Sequence, residues 1–336
     1  MQLGKVNNRS CYILICIVIF STWCVTHSNS QILKDFKETG SFNEQELWIQ
    51  NEPENVTINI NAPLHFNKNG RTFLVLFALP NGNSIEWTKG KKMDPGEDWH
   101  FDIQHIAAQS RYVRDLDKKN NYVFTYLMTQ QKSWATWKKT VENSTLKIKT
   151  IIDSLESRFT DYNPQIILSG HSGGGSFIFG YLDAVERIPD NIRRIAFLDS
   201  DYSFEDSLHT KKFVVWLKKK DHHLFVLAYN DSTVIFNGKQ LVSATGGTWY
   251  RSWLMQRKLS EVFPFKTASD TSFINHTALG GRVRIILKEN PNGLIYHTVQ
   301  VEKNGFIYSL LSNTKFDRRK YFTYFGDRVY EKWISE

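Results

Sequence analysis

Residues 166–176 read IILSGHSGGGS, a run of isoleucine and leucine that passes directly into a serine set among glycines. The apolar run fits a buried strand, and the stretch FIFGYLDAV that follows has helical spacing, so the serine stands at a strand-to-helix junction. Gly170-His171-Ser172-Gly173-Gly174 is the pattern G-x-S-x-G. A serine in such a turn projects its hydroxyl over the sheet only if the residues two positions away carry no side chain, which glycine at 170 and 174 provides. Gly173 presents a backbone N–H to a developing oxyanion, and the N-terminus of the next helix adds a favourable dipole. Neither G-K-[ST] nor G-x-G-x-x-G is present, so the turn does not read as a phosphate cradle.

The rest of the chain alternates in the same way. NVTINI, RTFLVLFAL, NYVFTYLM, PQIILSG, IRRIAFLD, HLFVLAY and GRVRIILK read as strands, separated by helical stretches such as VENSTLKIKTIIDSLESRF and YRSWLMQRKLSEVF. Near-continuous apolar strands between helices predict an α/β architecture: a doubly wound, mostly parallel sheet with helices on both faces. A hydrophobic content of 41% with 23% charged residues suits a full-sized core. In such sheets the site forms at the carboxyl ends of the strands.

The first thirty residues do not belong to that core. Lys5 and Arg9 precede the apolar run CYILICIVIFSTWCV, and THSNS follows, which is the order of a secretory signal peptide. The run falls short of the roughly 20 residues that span a bilayer, so removal after Ser30 is expected, leaving a single domain over 31–336 that starts at Gln31. The weaker alternative is anchoring through residues 11–25. Cys11, Cys16 and Cys24 all lie in this leader, so the remainder can form neither a disulfide nor a thiolate metal site. A secreted or periplasmic location follows, with no stable membrane insertion once the leader is gone. The formal charge of +8 is scattered rather than gathered into a stripe, and no nucleic-acid-binding module accompanies it.

With its serine elbow and strand order, the chain resembles the α/β-hydrolase superfamily of esterases, lipases and peptidases. That resemblance implies a Ser…Asp/Glu…His order. His297, in NPNGLIYHTVQ after the last strand, is the expected general base, whereas His276 precedes that strand. Asp231, ending HLFVLAYND, is the expected acid, with Asp201 after the preceding strand as the alternative. The second oxyanion donor is expected from Asn81, Gly82 or Asn83 in ALPNGNS, where Pro80 fixes the turn, beside Gly173. Trp134, in a polar loop, and His171, beside the nucleophile, are expected to contact substrate; Trp87, Trp99, Trp137, Trp249 and Trp253 also fall after strands, and aromatic walls suit sugar rings. Arg251 is a weaker candidate to pin a substrate carboxylate.

The resemblance implies a serine hydrolase that needs no cofactor and no metal. A competing metal reading of DWHFDIQH would use Asp98, His100, Asp102 and His105 as ligands. The leading function is an esterase on carbohydrate-linked or small acyl esters, acting through an acyl-enzyme. A serine peptidase, and a catalytically silent binding protein on the same fold, remain the rivals.

Overall fold

The computed structural model describes residue 2, residues 32–51 and residues 54–336. The leader read at 1–30 falls, apart from residue 2, outside them. Among the described residues no helix is long and apolar enough to cross a membrane.

The strands are β1 (Lys37–Glu38), β2 (Glu44–Asn51), β3 (Val56–Pro63), β4 (Thr72–Ala78), β5 (Asn121–Thr129), β6 (Gln165–His171) and β7 (Ile192–Leu198). They continue as β8 (His223–Tyr229), β9 (Ile235–Phe236), β10 (Lys239–Gln240), β11 (Phe265–Ser269), β12 (Phe273–Ala278) and β13 (Val283–Lys288). One sheet runs in the order β1-β2-β3-β5-β4-β6-β7-β8-β13-β12-β11, and β9 and β10 form a separate ribbon. Its centre, from β5 through β4, β6, β7 and β8 to β13, is parallel throughout. Antiparallel pairs flank that centre on both sides.

The continuous apolar run of β4 shows why the sheet is buried on both faces. Leu74, Leu76 and Ala78 join one core, with Ile148 and Phe177; Val75 and Phe77 join the other, with Ile106 and Phe306. The first core is covered by the helices Trp134–Thr140, Ser144–Arg158, Gly175–Ala184, Lys211–Leu217 and Thr248–Ser260. The second lies under Ile106–Leu116 and Phe306–Leu311. A strand between two helical layers has no polar face to display, so it loses the alternation of a half-exposed strand.

Two additions have no apolar run to announce them. Strand β2 reads EQELWIQN, so the sheet begins before residue 50, and its buried Glu44 is neutralised by Arg111 (3.1 Å) and Arg114 (2.7 Å). Strands β11 and β12 form a hairpin that extends the far edge, with His276 of β12 opposite Ile285. At the carboxyl ends of the central strands the chain delivers Ser172 after β6, Asp199 after β7, Asp231 after β8 and the loop bearing His297 after β13.

Candidate active site

The order and direction of these strands are those of the α/β-hydrolase fold, whose carboxyl edge carries a strand-to-helix nucleophile turn. Ser172 occupies it with φ +54°, in the left-handed region that a side chain enters at a cost of about 1–3 kcal/mol. The turn is held by close approach. A Cβ at Gly170 would lie 2.9 Å from the carbonyl carbon of Gly174, and one at Gly173 would lie 1.9 Å from Asn81 Oδ1. The glycines therefore let the turn close on itself and let the loop after β4 sit against the residue that follows Ser172.

His297 faces the same cleft as Ser172. Its loop is organised by Asn290, which is almost fully buried, donates to the carbonyls of Asn230 and Leu294, and accepts from the Leu294 N–H. His297 Nδ1 is hydrogen-bonded to Asp199 Oδ2, and the other oxygen of Asp199 accepts from Thr248 Oγ1. Asp199 is fully buried and follows β7 directly, with φ +49°. Aspartate tolerates this conformation better than most residues, and it turns the carboxylate toward the imidazole.

The carboxylates expected from sequence are close by but turned elsewhere. Asp231 accepts the Thr248 N–H at 2.9 Å and so caps the helix Thr248–Ser260, where the dipole favours a carboxylate. Gly247 lies so near that a Cβ there would be 2.3 Å from both Asp231 oxygens. Asp201 accepts from Ser252 Oγ at 2.8 Å, and burial, with Asp199 and Asp231 nearby, pushes its carboxyl well above the usual range. A carboxyl whose charged form is disfavoured in this way is a poorer partner for an imidazolium.

Burial and the Asp199 charge also push Asp231 up, from 3.8 to about 6. The folded chain therefore holds this proton more tightly than the unfolded one, so stability falls as pH rises from 3.8 to about 6. Above that the penalty is complete, at roughly 3 kcal/mol. Asp231→Asn cannot ionise, so its stability relative to the parent is expected to improve on going from pH 4 to pH 7. Urea denaturation at the two pH values checks this; an unchanged difference would mean that Asp231 carries no such penalty.

In the loop after β4, Asn83 N–H donates to the Pro80 carbonyl and Gly82, at φ +81°, donates to the Lys132 carbonyl at 2.8 Å. The Gly82 N–H is thus committed to the fold, which corrects its expected oxyanion role. Asn81 lines the cleft beside Ser172 and Gly173.

The two residues expected to touch substrate do not line the cleft. Trp134 is buried, packs edge-on to Trp137 and Phe177, and donates its indole N–H to the Leu127 carbonyl. A polar loop sequence concealed a core residue. His171 is also buried, with Nε2 at 3.1 Å from the His297 carbonyl and Nδ1 at 3.0 Å from the Gln104 amide. Desolvation holds its pKa well below the usual value, so it is neutral and donates from Nε2 to the His297 carbonyl. Its Nδ1 then accepts from Gln104, whose amide oxygen and nitrogen interchange without moving a heavy atom. His171 supports the loop of His297 rather than meeting substrate. Arg251 likewise donates inward, to the Phe204 carbonyl.

The acid–imidazole pairs of DWHFDIQH are separate contacts, Asp98 with His100 at 2.5 Å and Asp102 with His105 at 2.6 Å. Arg328 donates to Asp102 and Glu302 at 2.8 Å, occupying the carboxylate a cation would need. Among the described residues no group of three or more His, Cys, Asp or Glu side chains could hold a metal.

The cleft holds about 550 Å³. Its walls include Tyr202, Tyr229, Phe236, Leu241, Val242 and Ile295, and among the described residues no Lys, Arg, Asp or Glu lines it. None of these residues is singled out by sequence, because they come from loops, the short ribbon and, for Tyr229, the end of β8 rather than from a motif. Asp199 is not a candidate from sequence, where it reads as the end of the strand IRRIAFLD; that strand-end position is the signal that could have found it.

No family model matches the chain, and no curated protein matches it. Solved structures do. A thermostable esterase is 16% identical over 84% of this chain and 64% of that one, with a TM-score of 0.47. A glucuronoyl esterase from Solibacter usitatus is 13% identical over 83% of each chain, at 0.45. An acetyl xylan esterase from Aspergillus awamori is 12% identical over 74% of this chain and 92% of that one, at 0.41. The chain spans less than two thirds of the thermostable esterase.

Proposed function

We propose that the chain is an exported serine hydrolase, an esterase that cleaves small acyl or carbohydrate-linked esters through an acyl-enzyme. The observation that carries this reading is the pairing of His297 Nδ1 with buried Asp199 in the cleft that Ser172 enters. With Nδ1–H donated to Asp199, the lone pair of Nε2 is free to accept the Ser172 proton as Oγ attacks the ester carbonyl carbon. The oxyanion is met by the N–H groups of Gly173 and Asn81. Collapse breaks the bond to the leaving alkoxide, which takes the proton back from His297. Water then repeats the sequence on the acyl-enzyme, releasing the carboxylic acid and free Ser172.

A cleft without charged walls suits a neutral group on either side of the ester. Export follows from the basic, apolar and polar order of residues 1–30. A panel of short-chain 4-nitrophenyl esters, acylated oligosaccharides and matched peptides tests the reading. Turnover of esters well above peptides is expected; turnover of peptides alone would replace the esterase with a peptidase.

Asn81→Pro tests the oxyanion assignment. Asn81 is the second residue of the turn closed by Asn83 N–H to Pro80 O, a position proline accepts, so the variant should fold. Loss of its N–H is expected to lower turnover by ~10²–10³. Unchanged turnover in the folded variant would move the second donor to another residue.

A further inference from the structure

A second hollow, of about 250 Å³, adjoins the cleft and shares Val242 with it. One wall is a ridge of the helix Thr248–Ser260, where Trp249, Trp253 and Arg257 recur at intervals of four residues. The two indoles meet edge to face with centroids 6.2 Å apart. Ser232 and Ser243 also line the hollow, and the buried Asp231 carboxylate lies behind Gly247, so that its charge is felt there but its oxygens are covered.

The lining discriminates among ligand classes. An ammonium group would suit the carboxylate and the aromatic faces but would meet the Arg257 guanidinium. A free anion would meet Asp231 instead. A hydrocarbon chain would desolvate the Arg257 guanidinium without giving it a hydrogen bond, which is costly. A neutral polyhydroxylated ring conflicts with none of them: its C–H face lies on indole, and its hydroxyls donate to serine and accept from guanidinium and serine. The volume also suits a monosaccharide, since pockets for larger ligands begin at roughly 300 Å³.

We infer that this hollow is a saccharide subsite, which holds a sugar ring of the substrate while the ester lies in the adjoining cleft at Ser172. The inference deepens the esterase reading and rests on it for its effect on turnover, but sugar binding itself can be read without turnover.

The test uses the Ser172→Ala protein, titrated with xylotriose and with cellotriose by calorimetry and by saturation-transfer NMR. Binding of at least one trisaccharide is expected. Trp249→Ala in that background should weaken it about tenfold, in the range of an aromatic stacking contact, and Arg257→Ala should weaken it too. Trp249→Phe keeps a ring and guards against misfolding; it should retain most of the affinity. In the Ser172 protein, Trp249→Ala should raise KM for an acylated oligosaccharide about tenfold, and Trp249→Phe should restore most of that loss. No binding of either sugar, or binding that neither Trp249→Ala nor Arg257→Ala alters, would overturn the subsite. Trp249-dependent binding in a protein inert toward every ester would leave the subsite standing and remove the esterase.

Discussion

Ser172→Ala and His297→Ala are each expected to lower kcat by on the order of 10⁵–10⁶, and the double variant to be little worse than either. The non-additivity follows from the chemistry. A serine hydroxyl is a weak nucleophile unless its proton leaves as the bond to carbon forms, and His297 has no task in the first step except to accept that proton. Removing either residue therefore removes the same step. What remains is binding and the N–H groups of Gly173 and Asn81 proposed to meet the oxyanion, which these substitutions leave in place. Ser172→Ala should not cost stability through the turn, because alanine meets the same left-handed restriction as serine at φ +54°. Steady-state kinetics on a 4-nitrophenyl ester, with circular dichroism to establish folding, checks the result. Losses that multiply in the double variant would mean that the two residues act in separate steps.

Asp199→Asn is expected to cost on the order of 10⁴ in kcat, because an amide that presents its N–H₂ to His297 Nδ1 favours the wrong imidazole tautomer. Asp231→Asn and Asp201→Asn should each cost far less. Asp231 is engaged with the first turn of the helix Thr248–Ser260, and an asparagine oxygen can still accept the Thr248 N–H at that end. Asp201 accepts from Ser252 Oγ, a bond an asparagine oxygen can keep, and burial already disfavours its charged form. Thr248 joins the two sites, since its Oγ1 donates to Asp199 and lies 3.4 Å from Asp231 Oδ2. A ranking in which Asp231→Asn is the most damaging would return the acid to the strand end where sequence reasoning places it.

The choice among the three carboxylates shows what a sequence of this kind conveys. The central strands were legible because burial on both faces makes them apolar throughout, and the elbow was legible because close backbone approach demands glycine at fixed spacing. Position along the chain singles out Ser172 and His297, and the structure brings both to one cleft. The partner of the imidazole does not follow in that way: Asp199, Asp201 and Asp231 all fall at or just after strand ends, and only the left-handed turn at Asp199 and the helix capped by Asp231 decide which carboxylate faces the imidazole. Trp134 illustrates a similar limit, since a tryptophan in a polar segment is consistent with either a cleft wall or a core ring until its neighbours Trp137 and Phe177 are in place. The edge strands β2, β11 and β12 were missed for the opposite reason: polar residues within them are satisfied by pairing and by ion pairs such as Glu44 with Arg111 and Arg114.

Activation of Ser172 through His297 by Asp199 can be read with a fluorophosphonate probe followed by mass spectrometry of the digested protein, because the probe loses fluoride and forms a stable phosphonate ester only with an activated hydroxyl. A single adduct is expected, on Ser172, formed rapidly by the parent and suppressed in folded His297→Ala and Asp199→Asn. An unlabelled folded parent, or an adduct on any other residue, would contradict it.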